Sequence, residues 1–519
     1  MLPVIPGRLH LLSHLVPGAA ERDPTGLALV GTDERLDHGT LATRVGQLAA
    51  ALRSVGVTSG DRVVIFAPKS SQTFVAMHAA LHAGGIAVPV DPRAPAPVLE
   101  SLARELVPRA IIVAATTAGR WPDPSVPTIG ESIDQTTSHL TWTDVDGFEA
   151  SGPANRLGSD PAYIISTSGS TGRPKSIVHT HTSALRYAEL AAGCYGLRPD
   201  DRMANVAPFH FDQSTFELYA APLVGAATVL VPDVLLRFPA SVSELLERER
   251  VSTWYSVPTI LRQLHQRGAL EQRDLRALRW VLFGGEIFPP TELRALMASI
   301  PEARFSNVYG PAEINQCMYF HLDGPPTGEQ SIPIGTAWQD TELRIVGHDG
   351  AMVPQEGRGE LLVRTATAMA GYWNRPELDE RVFVSEPADG GLVRRWYRTG
   401  DVVERHADGL ITFVGRVDRQ VKIRGVRVEL EAVEAALDAV DGVTASAAIC
   451  VDDPEAPLVG IVETSTISDV SVVHRAIREI LPPGAVPDRV VLVDSLPVTT
   501  SGKVDTVSAA QLLEVGVRT

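Results

Sequence analysis

The sequence predicts an α/β protein. A large N-terminal domain of two α/β subdomains with mostly parallel sheets, plus a small β-rich subdomain, precedes a small α+β C-terminal domain. Three observations predict this. Through the first two thirds of the chain, short apolar runs alternate with helical patterns, which implies parallel strands covered by helices on both faces. From about residue 350, glycines and turns recur between short strands, as in Glu356-Gly-Arg-Gly359, Ala370-Gly-Tyr372 and Asp408-Gly409. Beyond these, helices and strands alternate within a unit of roughly 100 residues, the size of a small domain. The boundary falls at 416–418, giving domains 1–417 and 418–519.

Residues 40–56 carry apolar side chains at helical spacing, with Thr40 suited to cap the start and Gly56 to stop the end. Residues 61–67, 86–91 and 110–115 read as buried strands, and 71–85 as a helix ending at Gly84-Gly85. Residues 120–160 are rich in Pro, Thr, Ser and Asp and read as a surface connection. A helix over 182–193 and a strand before Pro208 follow. The second α/β run has strands near 227–231, 252–256, 279–283, 304–308 and 343–346, with helices near 241–249 and 258–267. Glu360–Arg364 and Leu410–Val414 are strands of the β-rich part. The last domain is predicted as helix 429–440, strand 443–450, helix 470–480, strand 489–493 and a helical tail over 508–519.

The chain has 519 residues, 44% hydrophobic and 21% charged, with a net charge of −16. That balance argues against general nucleic-acid binding, which requires a basic surface. It leaves room for one nucleotide, which needs only a few local cations. Cys194, Cys317 and Cys450 are odd in number and far apart, so neither a disulfide framework nor a metal spacing is present, and a reducing cytoplasm is expected. The N-terminal residues lack signal-peptide character, and no apolar run reaches the roughly 18 residues of a membrane span.

One stretch stands out for chemistry, Tyr163-Ile-Ile-Ser-Thr-Ser-Gly-Ser-Thr-Gly-Arg-Pro-Lys175. An apolar strand runs into small and hydroxylated residues and closes on a lysine. Glycines let backbone approach a ligand, consecutive N–H groups form an anion-binding nest, and lysine adds a point charge. The spacing differs from the P-loop of NTPases, and a plain Ser/Gly linker is the alternative. Five further stretches share this character. Phe211-Asp-Gln-Ser-Thr-Phe216 sets an acid between aromatics, and Asn307-Val-Tyr-Gly-Pro-Ala-Glu313 follows a strand. Tyr397-Arg-Thr-Gly-Asp401 places an acid after a tight turn, and Lys422-Ile-Arg-Gly-Val-Arg-Val-Glu429 alternates as an exposed strand or hairpin would. Pro497-Val-Thr-Thr-Ser-Gly-Lys503 is a second Ser/Gly/Lys loop. Each taken alone also reads as an ordinary turn, loop or strand.

In this order and spacing the stretches resemble the adenylate-forming superfamily, and within it the amino-acid adenylation domains of nonribosomal peptide synthetases. Leu81–Asp91, Gly371–Leu378 and Gly415-Arg-Val-Asp-Arg-Gln-Val-Lys-Ile-Arg-Gly425 match further motifs, so the resemblance spans essentially the whole chain. There are departures. Ala312 replaces the usual threonine before the acid, and Leu481-Pro-Pro-Gly-Ala-Val-Pro487 lacks the usual aromatic and methionine.

The resemblance implies ATP and Mg²⁺ as cofactors and two half-reactions. Thr167, Ser168, Gly169, Ser170, Thr171, Gly172 and Lys175 would hold phosphates, and Glu313 would hold the metal. Tyr309 would stack on adenine and Asp401 would accept from the ribose, with Arg416, Gly285, Glu286, Asn307 and Gly310 completing the nucleotide site. Lys503 would reach the substrate carboxylate and α-phosphate from a mobile C-terminal domain hinged at Asp418. Rotation about that hinge would withdraw Lys503 and bring the 422–426 loop, with Lys422, to the site. The acyl group would pass to the phosphopantetheine of a separate carrier protein or to coenzyme A.

Asp212 stands where amino-acid-activating relatives hold the substrate ammonium. The family's pocket positions map to Phe211, Asp212, Gln213, Phe216, Tyr255, Leu282, Gly284, Val308, Gln316, Cys317 and Lys503. Several are bulky, and besides the two anchors none is charged. An unpaired charge there would be strongly unfavourable. The expected substrate is therefore a small neutral amino acid: alanine first, then glycine, serine or proline. An acyl-CoA or aryl-acid ligase and a non-catalytic nucleotide-binding relative are the alternatives.

Overall fold

A computed structural model describes residues 11–32, 34–131, 139–167, 174–451, 453, 456–498 and 504–513. Two large sheets form the frame. The first has eight strands in the order Gly371–Tyr372, Lys175–Thr180, Pro161–Thr167, Ile86–Pro89, Arg62–Phe66, Ala110–Val113, Thr128–Gly130 and His139–Leu140. Its central pairings are parallel, and Lys175–Thr180 is antiparallel to both its neighbours. The second has nine strands, from Thr336–Ala337 at one edge to Arg35–Asp37 at the other. Its parallel centre runs Arg304–Tyr309, Trp280–Gly284, Thr253–Ser256, Arg202–Asn205, Ala227–Leu230 and Leu27–Val30. The fold class expected from the alternating pattern is therefore observed.

Helix ends follow local chemistry. Ser70 accepts from Thr73 N–H to start Ser71–Ala83, and Gly84 ends it with φ +94°. Thr180 and Ser183 form a reciprocal capping pair at the start of His181–Tyr195. One continuous core joins the sheets: Val63, Ile65 and Tyr163 of the first pack with Tyr255, Leu282 and Val308 of the second, through helices His38–Ser54, Ser71–Ala83, His181–Tyr195 and Thr215–Val224. Burial at this scale, at about 25 cal/mol per Å² of apolar surface, locks the two sheets into one rigid platform.

The β-rich part is a five-stranded antiparallel sheet around Val393–Arg405. The last part packs helices Leu430–Asp438 and Val470–Arg478 on a sheet of Ala445–Cys450, Leu458–Glu463 and Arg489–Val493. Hairpin 420–429 precedes it, with Gln420–Ile423 paired to Val426–Glu429.

Three expectations are corrected. The 120–160 connection carries strands Thr128–Gly130 and His139–Leu140, which extend the first sheet, and the short helix Trp142–Asp146. Leu458–Glu463 is a central strand of the last domain that sequence reading passed over. Asp401 lies inside the 13-residue strand Val393–Arg405 and not after a tight turn; Gly400, at φ +71°, and an irregularity between Val402 and Val403 bend that strand. Among the described residues no helix is long and apolar enough to cross a membrane.

Candidate active site

The named side chains gather at the C-terminal ends of the parallel strands, where open α/β sheets bind ligands. Pro161–Thr167 delivers Thr167, whose hydroxyl is buried with no hydrogen-bond partner among the described residues. Its cross-strand partner is Lys175. Ser168, Gly169, Ser170, Thr171, Gly172 and Lys503 lie outside the described residues. Arg304–Tyr309 delivers Tyr309 and leads through Gly310 to Glu313; a Cβ on Gly310 would sit 1.9 Å from the Asn315 carbonyl oxygen, so only glycine fits.

Glu313 is fully buried. One carboxylate oxygen accepts from the Tyr372 hydroxyl at 2.8 Å, and Arg427 Nη1 donates to both oxygens at 2.8 and 3.0 Å. Burial alone would push this carboxyl up; the Arg427 charge and the Tyr372 hydrogen bond prevail and hold it at about 2. Arg427 comes from hairpin 420–429, so the last domain is docked on the site. Two more contacts seat the hairpin. Lys175 Nζ meets Glu429 Oε1 at 2.7 Å, and Gly425 N–H donates to Glu286 Oε1 at 2.7 Å.

The turn makes this close approach feasible. Arg424 and Gly425 have φ of +50° and +79°, the pattern of a two-residue hairpin whose twist matches its strands. A Cβ on Gly425 would stand 2.7 Å from Val257 Cγ1. Lys422, on the same hairpin, lies within electrostatic reach of Asp212.

On the nucleotide side, Asp401 accepts from the Tyr309 hydroxyl and from Arg416 Nη1. Arg416 also clasps Asp418 at 2.6 and 2.8 Å, tying the expected hinge to the expected ribose acid. Asn307 donates its amide to the Pro333 carbonyl at 2.8 Å. Gly285 has φ +89°, and Glu286 uses its second oxygen to cap helix Pro258–Arg267 through Thr259. Glu286 therefore serves the hairpin and the helix start here.

The pocket positions converge as well. Phe216, Leu282 and Cys317 are fully buried, and Tyr255, Val308 and Gln316 are nearly so. Phe216 meets Tyr255 edge-on at 5.7 Å. Gly284 is dictated by strand packing, since a Cβ there would lie 2.2 Å from the Val308 carbonyl oxygen. Phe211 and Gln213 flank Asp212 at the mouth. Burial raises the Asp212 carboxyl, the nearby Glu313 adds to this, and Lys422 opposes it.

Sequence reasoning assigned no role to Arg427, Glu429, Tyr372 or Glu217. Glu217 is buried in helix Thr215–Val224, takes a hydrogen bond from Asn205 at 3.2 Å, and is pushed up to about 8, chiefly by burial. Spacing carried a signal for the hairpin pair, because residues two apart on a strand share a face.

The site thus sets the buried Glu313, the Asp401–Arg416 pair and the docked hairpin 420–429 beside one pocket. The AMP-binding enzyme family model matches residues 17–373, and the AMP-binding enzyme C-terminal domain matches 432–503. An L-proline--[L-prolyl-carrier protein] ligase of Pseudomonas fluorescens is 33% identical over 515 residues, covering 98% of this chain and 100% of the relative. A second protein of that name, from Streptomyces coelicolor, is 33% identical over 509 residues and covers 92% of each chain. The amide bond synthetase McbA of Marinactinospora thermotolerans superposes with a TM-score of 0.83 at 25% identity, covering 97% of this chain and 99% of that one. With the family model spanning more than half its length, the chain belongs to the AMP-binding enzymes.

Proposed function

We propose that this enzyme uses ATP to activate a small neutral α-amino acid and then passes the aminoacyl group to the phosphopantetheine thiol of a separate carrier protein. In the first half-reaction a carboxylate oxygen of the amino acid bonds to the α-phosphorus as the bond to the β-phosphate bridging oxygen breaks. Aminoacyl-AMP forms and pyrophosphate leaves. In the second, the thiolate attacks the acyl carbonyl and AMP departs.

The observation that carries the amino-acid reading is Asp212, a carboxylate at the mouth of a pocket whose walls, Phe216, Tyr255, Leu282 and Val308, are uncharged. An ammonium group pairs with it, whereas a fatty or aryl acid would cover it without offering a partner. The names of the two prolyl-carrier ligases support the same reading and keep proline beside alanine, glycine and serine as candidates.

The chain's residues divide the work. Thr167, Lys175 and the 168–172 loop bind phosphates. Tyr309, Asp401 and Arg416 orient the nucleoside. Lys503 neutralises charge between the carboxylate and the α-phosphate, and preorganised charge of this kind is the main device for such transfers. Glu313 fits a hard divalent cation when hairpin 420–429 is withdrawn: its carboxylate is ionised, and the positive charge of Arg427 now stands where a cation would. Mg²⁺ held there would neutralise phosphate charge.

The test is amino-acid-dependent ATP–pyrophosphate exchange across a panel of amino acids, followed by loading of a phosphopantetheinylated carrier. Exchange driven by a small neutral amino acid, with transfer to the carrier, is expected. Exchange driven only by a fatty or aryl acid would refute the reading.

A further inference from the structure

The pocket is not apolar throughout. Gln316 is 5% exposed, and both its amide nitrogen and its amide oxygen are buried with no hydrogen-bond partner among the described residues. Its position is imposed by its neighbours. Asn315 has φ +54° and ψ −124°, an unfavourable backbone conformation. Three contacts hold it there: the Tyr163 hydroxyl donates to its side-chain oxygen at 3.1 Å, and its nitrogen donates to His179 Nδ1 at 3.2 Å and to the Thr367 carbonyl at 3.3 Å. On the other side Cys317 N–H donates to the Tyr309 carbonyl at 3.0 Å. Gln316 is thus pinned from both sides.

What it faces is polar too. The Tyr255 hydroxyl lies among the side chains of Gln213, Gln316 and Asp212, close enough to both amides to feel them, yet neither polar atom of Gln316 completes a hydrogen bond of good geometry. The apolar Phe216, Leu282 and Val308 share the core with Tyr255. A buried amide left unpartnered is penalised by its full desolvation, whereas leucine or methionine in its place would carry no such penalty.

We infer that Gln316, with Gln213 and Tyr255 beside it, reads a hydrogen-bonding group on the substrate side chain, so that the preferred amino acid carries a neutral hydroxyl or carboxamide in place of a purely hydrocarbon side chain of the same size. The inference rests on the amino-acid reading above and narrows it toward its serine-like members. A site built to bond a substrate hydroxyl discriminates strongly against the analogue lacking it, because its own polar groups are then left unpaired.

The experiment compares matched pairs in pyrophosphate exchange: serine with alanine, threonine with valine, and 4-hydroxyproline with proline. Wild type and Gln316→Met are measured side by side. The ratio of kcat/KM within a pair is independent of the folded fraction of a sample, so a poorly folding variant remains informative. Wild type is expected to prefer the polar member of at least one pair by about 10- to 100-fold, and Gln316→Met to shrink that ratio at least tenfold. Preference for the hydrocarbon member in every pair, or a ratio unchanged by the substitution, overturns the inference. Exchange with no amino acid at all would remove the amino-acid reading and this inference with it. Exchange with alanine or proline at a ratio near one removes the inference alone.

Discussion

Arg427→Gln is expected to separate the two half-reactions. In the docked arrangement Glu313 is fully buried, and Arg427 supplies two of its contacts at 2.8 and 3.0 Å. Removing one member of a buried ion pair costs about 3–5 kcal/mol, because the other charge stays buried and unpaired. Arg427 keeps 17% of its side chain exposed, and the Tyr372 hydroxyl still serves Glu313, so the lower end applies, about 3 kcal/mol. At 1.36 kcal/mol per tenfold, that weakens docking of hairpin 420–429 by roughly 10²-fold. Undocked, Glu313 is open to solvent or to a metal ion and the loss disappears. Transfer to the carrier should therefore fall about 10²-fold in single-turnover loading from preformed aminoacyl-AMP, while pyrophosphate exchange changes by less than about threefold. Arg427→Lys, which offers a point charge without the guanidinium fork, should lie between. Equal loss in both half-reactions, or undiminished transfer, would refute the role given to this contact.

Three other outcomes are expected. Asp212→Ala leaves the substrate ammonium unpaired in the pocket and should lower kcat/KM for the preferred amino acid by about 10²–10⁴-fold in pyrophosphate exchange, the scale of about 3–5 kcal/mol. Lys503→Ala should lower exchange by about 10²–10³-fold, as expected for loss of one preorganised charge donor; near-normal exchange would sink that assignment. Burial depresses His78 to about 3, and His179 and His181 to about 4. These groups are neutral when folded and bind protons more readily when unfolded, so their stability contribution is complete above about pH 6.5 and is lost as pH falls toward 4. The melting temperature should drop steadily across that window, and a His179→Gln variant should drop less steeply.

Much of the frame was legible because its strands are short apolar runs bounded by turn residues. Arg62–Phe66, Trp280–Gly284 and Arg489–Val493 lie within a residue of the reading. Helix Thr215–Val224 was not legible: nearly every residue is buried, so it has no polar face to create a period, and Pro222 lies inside it. Asp401 was misplaced because Gly400 reads as turn punctuation, whereas it bends a long strand from within. The individual site motifs were visible, and their convergence is a property of the fold. Arg427 and Glu429 were the most concealed. An alternating charged strand ordinarily turns its polar face to water; here that face is buried against partners 114 and 254 residues away in the chain.

Those two contacts suggest why one domain can serve both half-reactions. In the proposed first step, Lys175 would meet the negative charge of ATP phosphates, and Glu313 would hold the positive charge of a magnesium ion. The hairpin brings Glu429 to the same lysine at 2.7 Å and Arg427 to the same carboxylate at 2.8 Å. Each set satisfies the same pair of buried or half-buried residues with the same signs of charge, so neither leaves an uncompensated ion when it replaces the other. The two sets also exclude one another, because Glu313 cannot hold a guanidinium on both oxygens and a metal ion at once. Residues two apart on one strand face are enough to build this complement. Once Lys175 and Glu313 are uncovered, Glu429 and Arg427 are drawn to them directly, and hairpin docking needs no separate signal from the substrate pocket.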